Sequence, residues 1–275
     1  MRIYTLYLLF VISITNAQNT RFIYEYSFIP NLKKQSIIKS EIMYLDTSSS
    51  GSLYYSLNSF INDSTMIADA KLGKITMPIE DKINERIIKT YPNYKIYFFT
   101  KLYIEKYKVL DERIQKWKIL NEKSMIENFQ VQKATLDFGG RKWIAWFTTE
   151  IPIQDGPYKF HGLPGLILKM EDITKSHLFQ LRGIKSLADN FMYPEIDKSK
   201  KYIEINQKKY EKLFKDYRAD PIKDLRQLFN EGKILQYTDT SGNIITPSQT
   251  MRRAESERKT LILQDNNIIE IDLLK

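Results

Sequence analysis

The chain has 275 residues, 43% hydrophobic and 27% charged, the balance of a globular protein with a sizeable core. Its net charge of +9 is scattered along the sequence, which describes a lysine-rich solvated surface and argues against a nucleic-acid-binding face. The absence of cysteine excludes disulfide staples and thiol chemistry, so the core alone must hold the fold.

Residues 1–17 read as an export signal: Arg2 supplies the positive start, Ile3 to Ile14 an apolar core, and Thr15-Asn16-Ala17 a small-residue cleavage site. The expectation is therefore a signal peptide over 1–17, a single β-rich domain over 18–275 and an exported product. No apolar run is long enough to span a membrane with an α-helix, so no transmembrane segment is expected in the mature chain.

Phe22, Tyr24, Tyr26 and Phe28 alternate along 21–28, the period of a half-buried strand. Strands are predicted over 36–45 and 51–57 around the turn-forming Asp46 to Gly51. Residues 58–73 admit helix or loop. Strands over 86–90 and 94–103 flank Tyr91-Pro92-Asn93 as a hairpin, and the 106–120 and 129–138 segments lead through Gly139-Gly140 into a central strand over 142–149. Consecutive strands with short turns predict a large curved antiparallel sheet.

Next comes a loop whose glycines and prolines dictate a shaped corner: Gly156-Pro157, then Gly162, Leu163, Pro164, Gly165, Leu166 and Ile167. Leu163-Pro164-Gly165-Leu166 fits a type II turn, with Pro fixing φ and Gly accepting positive φ. Within this loop Asp155, Tyr158, Phe160 and His161 are candidate binding residues, because loops on rigid scaffolds carry function. Strands over 166–170 and 177–184 follow. Further on, Asn206 is a candidate N-cap for a helix carrying Tyr210, Leu213, Phe214 and Tyr217. Asp220-Pro221 starts a second helix that Gly232 ends. A polar excursion over 241–259 is expected to be mobile or helical, before short strands at 261–263 and 268–273. The fold class is mainly β or α+β, with two helices packed near the C-terminal third.

The hexapeptide at 162–167 resembles the signature of the GLPGLI family of Bacteroidetes. Lys133-Ala134, Gly140-Arg141, Ala145-Trp146-Phe147-Thr148, Glu150-Ile151-Pro152-Ile153 and Gly156-Pro157 are similar to upstream family elements, and Asn267-Ile268-Ile269-Glu270 to a C-terminal one, with Ile268 where proline is usual. The resemblance implies an exported cell-envelope protein, considered in the context of outer-membrane nutrient uptake, without assigned catalytic residues or cofactor.

Catalytic constellations are sparse. Only His161 and His177 exist, without zinc-binding spacing, so no metal site is expected. There is no Gly-x-Ser-x-Gly elbow or phosphate-binding loop. Glu171 and Asp172 point to opposite faces of a strand and cannot act as a pair. The leading reading is a non-catalytic binding or accessory protein whose partner is an envelope protein or an apolar ligand. The alternatives are an envelope hydrolase using Asp155 and His161 as base and orienter, and a carrier holding an apolar ligand in a half-barrel cavity.

Overall fold

The computed structural model describes residues 19–74, 83, 85–194, 202–233, 236–238 and 242–275, so the expected export segment lies outside the described residues. Twelve strands form one open mixed sheet. They are β1 (Thr20–Phe28), β2 (Lys39–Thr47), β3 (Gly51–Ser56), β4 (Arg86–Thr90), β5 (Ile96–Leu102), β6 (Glu105–Asp111), β7 (Lys118–Ile126), β8 (Phe129–Phe138), β9 (Arg141–Thr148), β10 (Leu166–Asp172), β11 (His177–Ser186) and β12 (Ile203–Asn206). Their order is β12-β6-β5-β4-β3-β2-β1-β11-β10-β9-β8-β7. Neighbours pair antiparallel except β12, which lies parallel to β6 with Ile205 opposite Val109. The short β12 was not expected, because Ile203-Glu204-Ile205 carries too little apolar pattern to stand out. A two-residue hairpin, β13 (Tyr237–Thr238) with β14 (Ile244–Ile245), is separate from this sheet.

Register sorts the side chains into two faces. Tyr24 lies opposite Met43, Leu45 opposite Tyr54, Tyr54 opposite Ile87, and Ile87 opposite Phe98, so these buried side chains share the core face. The other face carries Tyr44 and Tyr55 under α1 (Leu57–Lys71), whose Phe60 ring meets both. Here Arg21 donates twice to Asp46 at 2.7 and 2.8 Å and once to Tyr55 at 2.7 Å, with its guanidinium 4.2 Å from the Tyr44 ring centre. The ambiguous 58–73 segment is thus a helix, capped by Ser56 accepting from Ser59 N.

On the core face, α2 (Gln207–Ala219) begins where expected, with the Asn206 side chain accepting from Lys209 N at 2.9 Å. Its Tyr210 ring packs edge-on against Phe98 at 5.6 Å. The second C-terminal helix, α3 (Lys223–Asn230), starts two residues later than Pro221. Asp220 does not cap it, because both its carboxylate oxygens are taken by Arg226.

The expected strand at 261–263 is instead the last turn of α4 (Pro247–Gln264). A Thr246–Gln249 capping box with Pro247 starts this helix, and Arg253–Glu257 and Glu255–Lys259 pairs support its middle. The expected strand at 268–273 is also corrected. Arg141 claims the carbonyls of Ile268 and Ile269, and a 3₁₀ turn follows over Ile271–Leu274.

Candidate functional site

The loop between β9 and β10 folds into the concave core face instead of projecting from it. Tyr158, Phe160, Leu163, Leu166 and Ile167 are all buried. Gly165 N–H reaches back to Leu163 O at 2.7 Å, while Leu166 N–H bonds Ile151 O, so the corner is a tighter turn than the expected type II. The demand for glycine holds on different grounds. Gly165 sits at φ +150°, and a Cβ there would lie 1.9 Å from Thr148 O. Gly156 is needed for space, because its Cβ would come within 2.7 Å of Ile167 Cδ1. A turn at Pro157, closed by Phe160 N–H to Pro157 O, brings Tyr158 to φ +53°. Gly162 lies at φ +90° and Pro164 is exposed.

Asp155 is wholly buried and held from every side. Lys89 forms an ion pair with it, Ser52 and Tyr91 hydroxyls donate at 2.6 and 2.5 Å, and Gly156 N–H donates at 2.6 Å. Lys89, equally buried, also donates to the carbonyls of Gly156, Tyr158 and Phe160 at 2.7 to 3.3 Å. Burial lowers the Lys89 pKa and Asp155 works against that shift. Lys89 therefore pins the loop by its main chain, a role the apolar alternation Ile87-x-Lys89 on β4 could have signalled.

Asp155 and His161 do meet, but as a backbone bridge, with Gly162 N–H donating to Gln154 O. The His161 imidazole lies 4.8 Å from the Tyr94 ring, and its Nδ1 is buried without a hydrogen-bond partner. Burial, then the Lys89 charge, lower its pKa to about 4 against the pull of Asp155. Trp117 Nε1 donates to His161 O, and Gln115 binds His161 N and Lys159 O, so 115–117 straps the loop from outside.

A second buried ionic cluster joins distant parts of the sequence. Lys159 donates to Glu270 at 2.5 Å and Asp111 at 3.0 Å, Arg113 binds both carboxylates, and Tyr158 OH donates to Glu270 at 2.7 Å. Burial raises both carboxylates, but Arg113 and Lys159 outweigh it and hold them below their ordinary range. Arg141 donates to Asn267 Oδ1 and Asp172. Asn267 and Glu270 thus dock the C-terminal segment onto Arg141 and Lys159, which ties that segment physically to the loop.

Between the sheet, α2 and the C-terminal segment lies a cavity of about 180 Å³. Tyr26, Met43, Tyr54, Phe98, Phe214 and Leu273 supply much of its apolar wall. His177 reaches it from β11, with Nδ1 hydrogen-bonded to Tyr26 OH at 2.7 Å; its ring lies by the Asn267 backbone and Tyr54 OH by the Tyr158 backbone, and neither His177 Nε2 nor Tyr54 OH completes a hydrogen bond of full geometry. Burial and Arg141 lower the His177 pKa to about 3, so the ring is neutral. At the start of α2 the Gln207 amide is also buried without partners. Among the described residues, no three His, Asp or Glu side chains are grouped to hold a metal ion, and no helix is long and apolar enough to cross a membrane.

A family model described as a protein of unknown function (Porph_ging) matches residues 138–169, from the end of β8 through the loop into β10. No curated protein matches the chain. Two crystal forms of PNGF-II, in space groups P21 and C2, are similar in fold, with TM-scores of 0.53 and 0.52 at 20% identity. The likeness covers 74% of this chain and 34% of PNGF-II, so this chain matches about a third of that protein. At that identity the likeness speaks to the fold alone.

Proposed function

We propose that this protein is an exported, non-catalytic binding protein of the cell envelope, of GLPGLI type, and that its ligand seats in the cavity beneath α2. The carrying observation is the division of the concave face. The loop's charged groups are spent on holding the loop, while an apolar cavity of about 180 Å³ is left beside it. Such a volume suits a ring-sized or short branched apolar body, since a cavity of about 150 Å³ accommodates benzene. The signal-like segment at 1–17 supports export, and the resemblance supports a role near outer-membrane nutrient uptake. The hydrolase alternative has less behind it: Asp155 has four donors of its own, none of them the His161 imidazole.

The test is titration of the purified protein with an environment-sensitive apolar dye, paired with native mass spectrometry. Saturable one-to-one binding is expected, abolished in Ile268→Trp, which fills the cavity wall, while that variant still melts cooperatively. Equal dye binding by a folded Ile268→Trp protein would overturn the cavity as the site.

A further inference from the structure

The cavity's chemistry is more specific than apolar. Its wall is rich in aromatic rings, including Tyr26, Phe28, Tyr54, Phe98, Tyr210 and Phe214. The charged residues along it are Glu85, Asp265 and Glu270, and among the described residues the lining holds no lysine or arginine. Glu270 is matched by Lys159 and Arg113, and Arg141 nearby by Asp172. Asp265 stands at the rim, exposed at its surface, with burial raising its pKa and the charges of Arg218 and Lys39 offsetting part of that rise.

From the aromatic wall, the acidic rim and the two unfilled polar atoms facing inward, we infer that the ligand is a small organic cation, an ammonium group on a short apolar body. This rests on the cavity being the binding site. Aromatic faces present negative charge, and rings arranged around a desolvated cation attract it. The chain already makes this contact once at the cavity's edge: Lys159 Nζ lies 4.3 Å from the Phe98 ring centre.

The phenols of Tyr26, Tyr54 and Tyr210 are all pushed up, first by burial; Glu85 adds to the rise at all three, while Arg141 works against it at Tyr26. Tyr54 OH and neutral His177 Nε2 are buried, without a completed hydrogen bond, and both residues line the cavity. Buried polar groups are seldom left so; Tyr54 OH is able to accept from an ammonium N–H or lie against its polarised methyl groups, and His177 Nε2 accepts in the tautomer that carries its proton on Nδ1.

The experiment compares three probes of one shape by calorimetry: choline, its neutral isostere 3,3-dimethylbutan-1-ol, and the anion 3,3-dimethylbutanoate. Choline is expected to bind about tenfold or more tightly than the alcohol, a ratio within the range of desolvated cation–aromatic contacts, and the anion not at all. Phe214→Leu, a half-buried ring at the wall, is expected to weaken choline about fivefold while leaving the alcohol within about twofold. Equal or tighter binding of the alcohol would overturn the cation but keep the cavity. Failure of all three probes, with the apolar dye still bound, would do the same. Failure of probes and dye together would remove both.

Discussion

Under the loop, Asp155 collects Lys89, Ser52, Tyr91 and Gly156 N–H, and the Lys89 ammonium also reaches three loop carbonyls. Beneath α2, on the same concave face, Tyr54 OH and His177 Nε2 are as deeply buried and complete no hydrogen bond. The two regions share burial and differ in saturation. An unmet polar group in low dielectric costs free energy, so saturation marks polar groups that serve the fold. Unmet groups beside an open volume are what the proposed ligand site requires.

The largest effect is expected at the saturated end. Lys89→Met strands the Asp155 carboxylate and three carbonyls in the interior, and should cost about 3–5 kcal/mol in chemical denaturation. Removing the charge with it, in Lys89→Met/Asp155→Asn, should recover part of that loss. A single variant as stable as the wild type would break the comparison, because the ion pair would then not hold the loop.

Gly165→Ala probes the corner itself. A methyl group 1.9 Å from Thr148 O cannot be accommodated without moving β9 or β10, and a loss of about 2–3 kcal/mol is expected. The corresponding Gly162→Ala change has φ +90° against it but open space around it, with only Trp117 Nε1 at 4.0 Å, so its loss should be the smaller. Thermal melts of the two variants rank the corner's demands, and a reversed order would show that positive φ, not space, fixes the motif.

How much of this was legible depends on what each element asks of its own residues. β1 announced itself through Phe22, Tyr24, Tyr26 and Phe28, and α2 through Asn206 and Tyr210, because period and cap are local signals. The loop's need for Gly165 was legible, its inward course was not: Asp155 and Lys159 look like surface residues until Lys89 and Glu270, far away in sequence, arrive to pair them. The C-terminal segment failed for the same reason. Ile268 to Leu273 carries strand-like residues, but Arg141 takes the carbonyls a ladder would use. Leu261 to Leu263 misled because an apolar triplet has no period, and α4 simply runs through it. The cavity itself was not readable, since it is the gap left between α2, the sheet and this segment.

Acid acts on both regions alike. His161 and His177 have folded pKa values near 4 and 3 against an ordinary 6.5, so the unfolded chain binds their protons first. Stability is therefore full above about pH 6.5 and is lost as pH falls, each histidine removing about 2 kcal/mol by pH 5. Denaturation at pH 7 and pH 5 should show the drop, and His161→Asn should remove about half of it. His161 Nδ1 is the one unmet atom at the loop end, packed against Tyr94. An unchanged slope in the variant would mean the ring is solvated in solution.

The smallest effect gives the sharpest contrast, because it removes one oxygen atom from each region. Tyr24 OH donates to Ile167 O at 2.7 Å, inside the packed core where the loop re-enters β10. Tyr24→Phe leaves that carbonyl short of its donor and should cost about 1–2 kcal/mol. Tyr54→Phe removes a hydroxyl that completes no hydrogen bond, so the apo protein should lose nothing and gain up to about 1 kcal/mol. Fold stability alone would then favour phenylalanine at 54, which supports the proposed ligand in the cavity. If Tyr54→Phe instead cost as much as Tyr24→Phe, the hydroxyl would already be satisfied, by ordered water or the nearby Tyr158 backbone. The two ends of the concave face would then be alike.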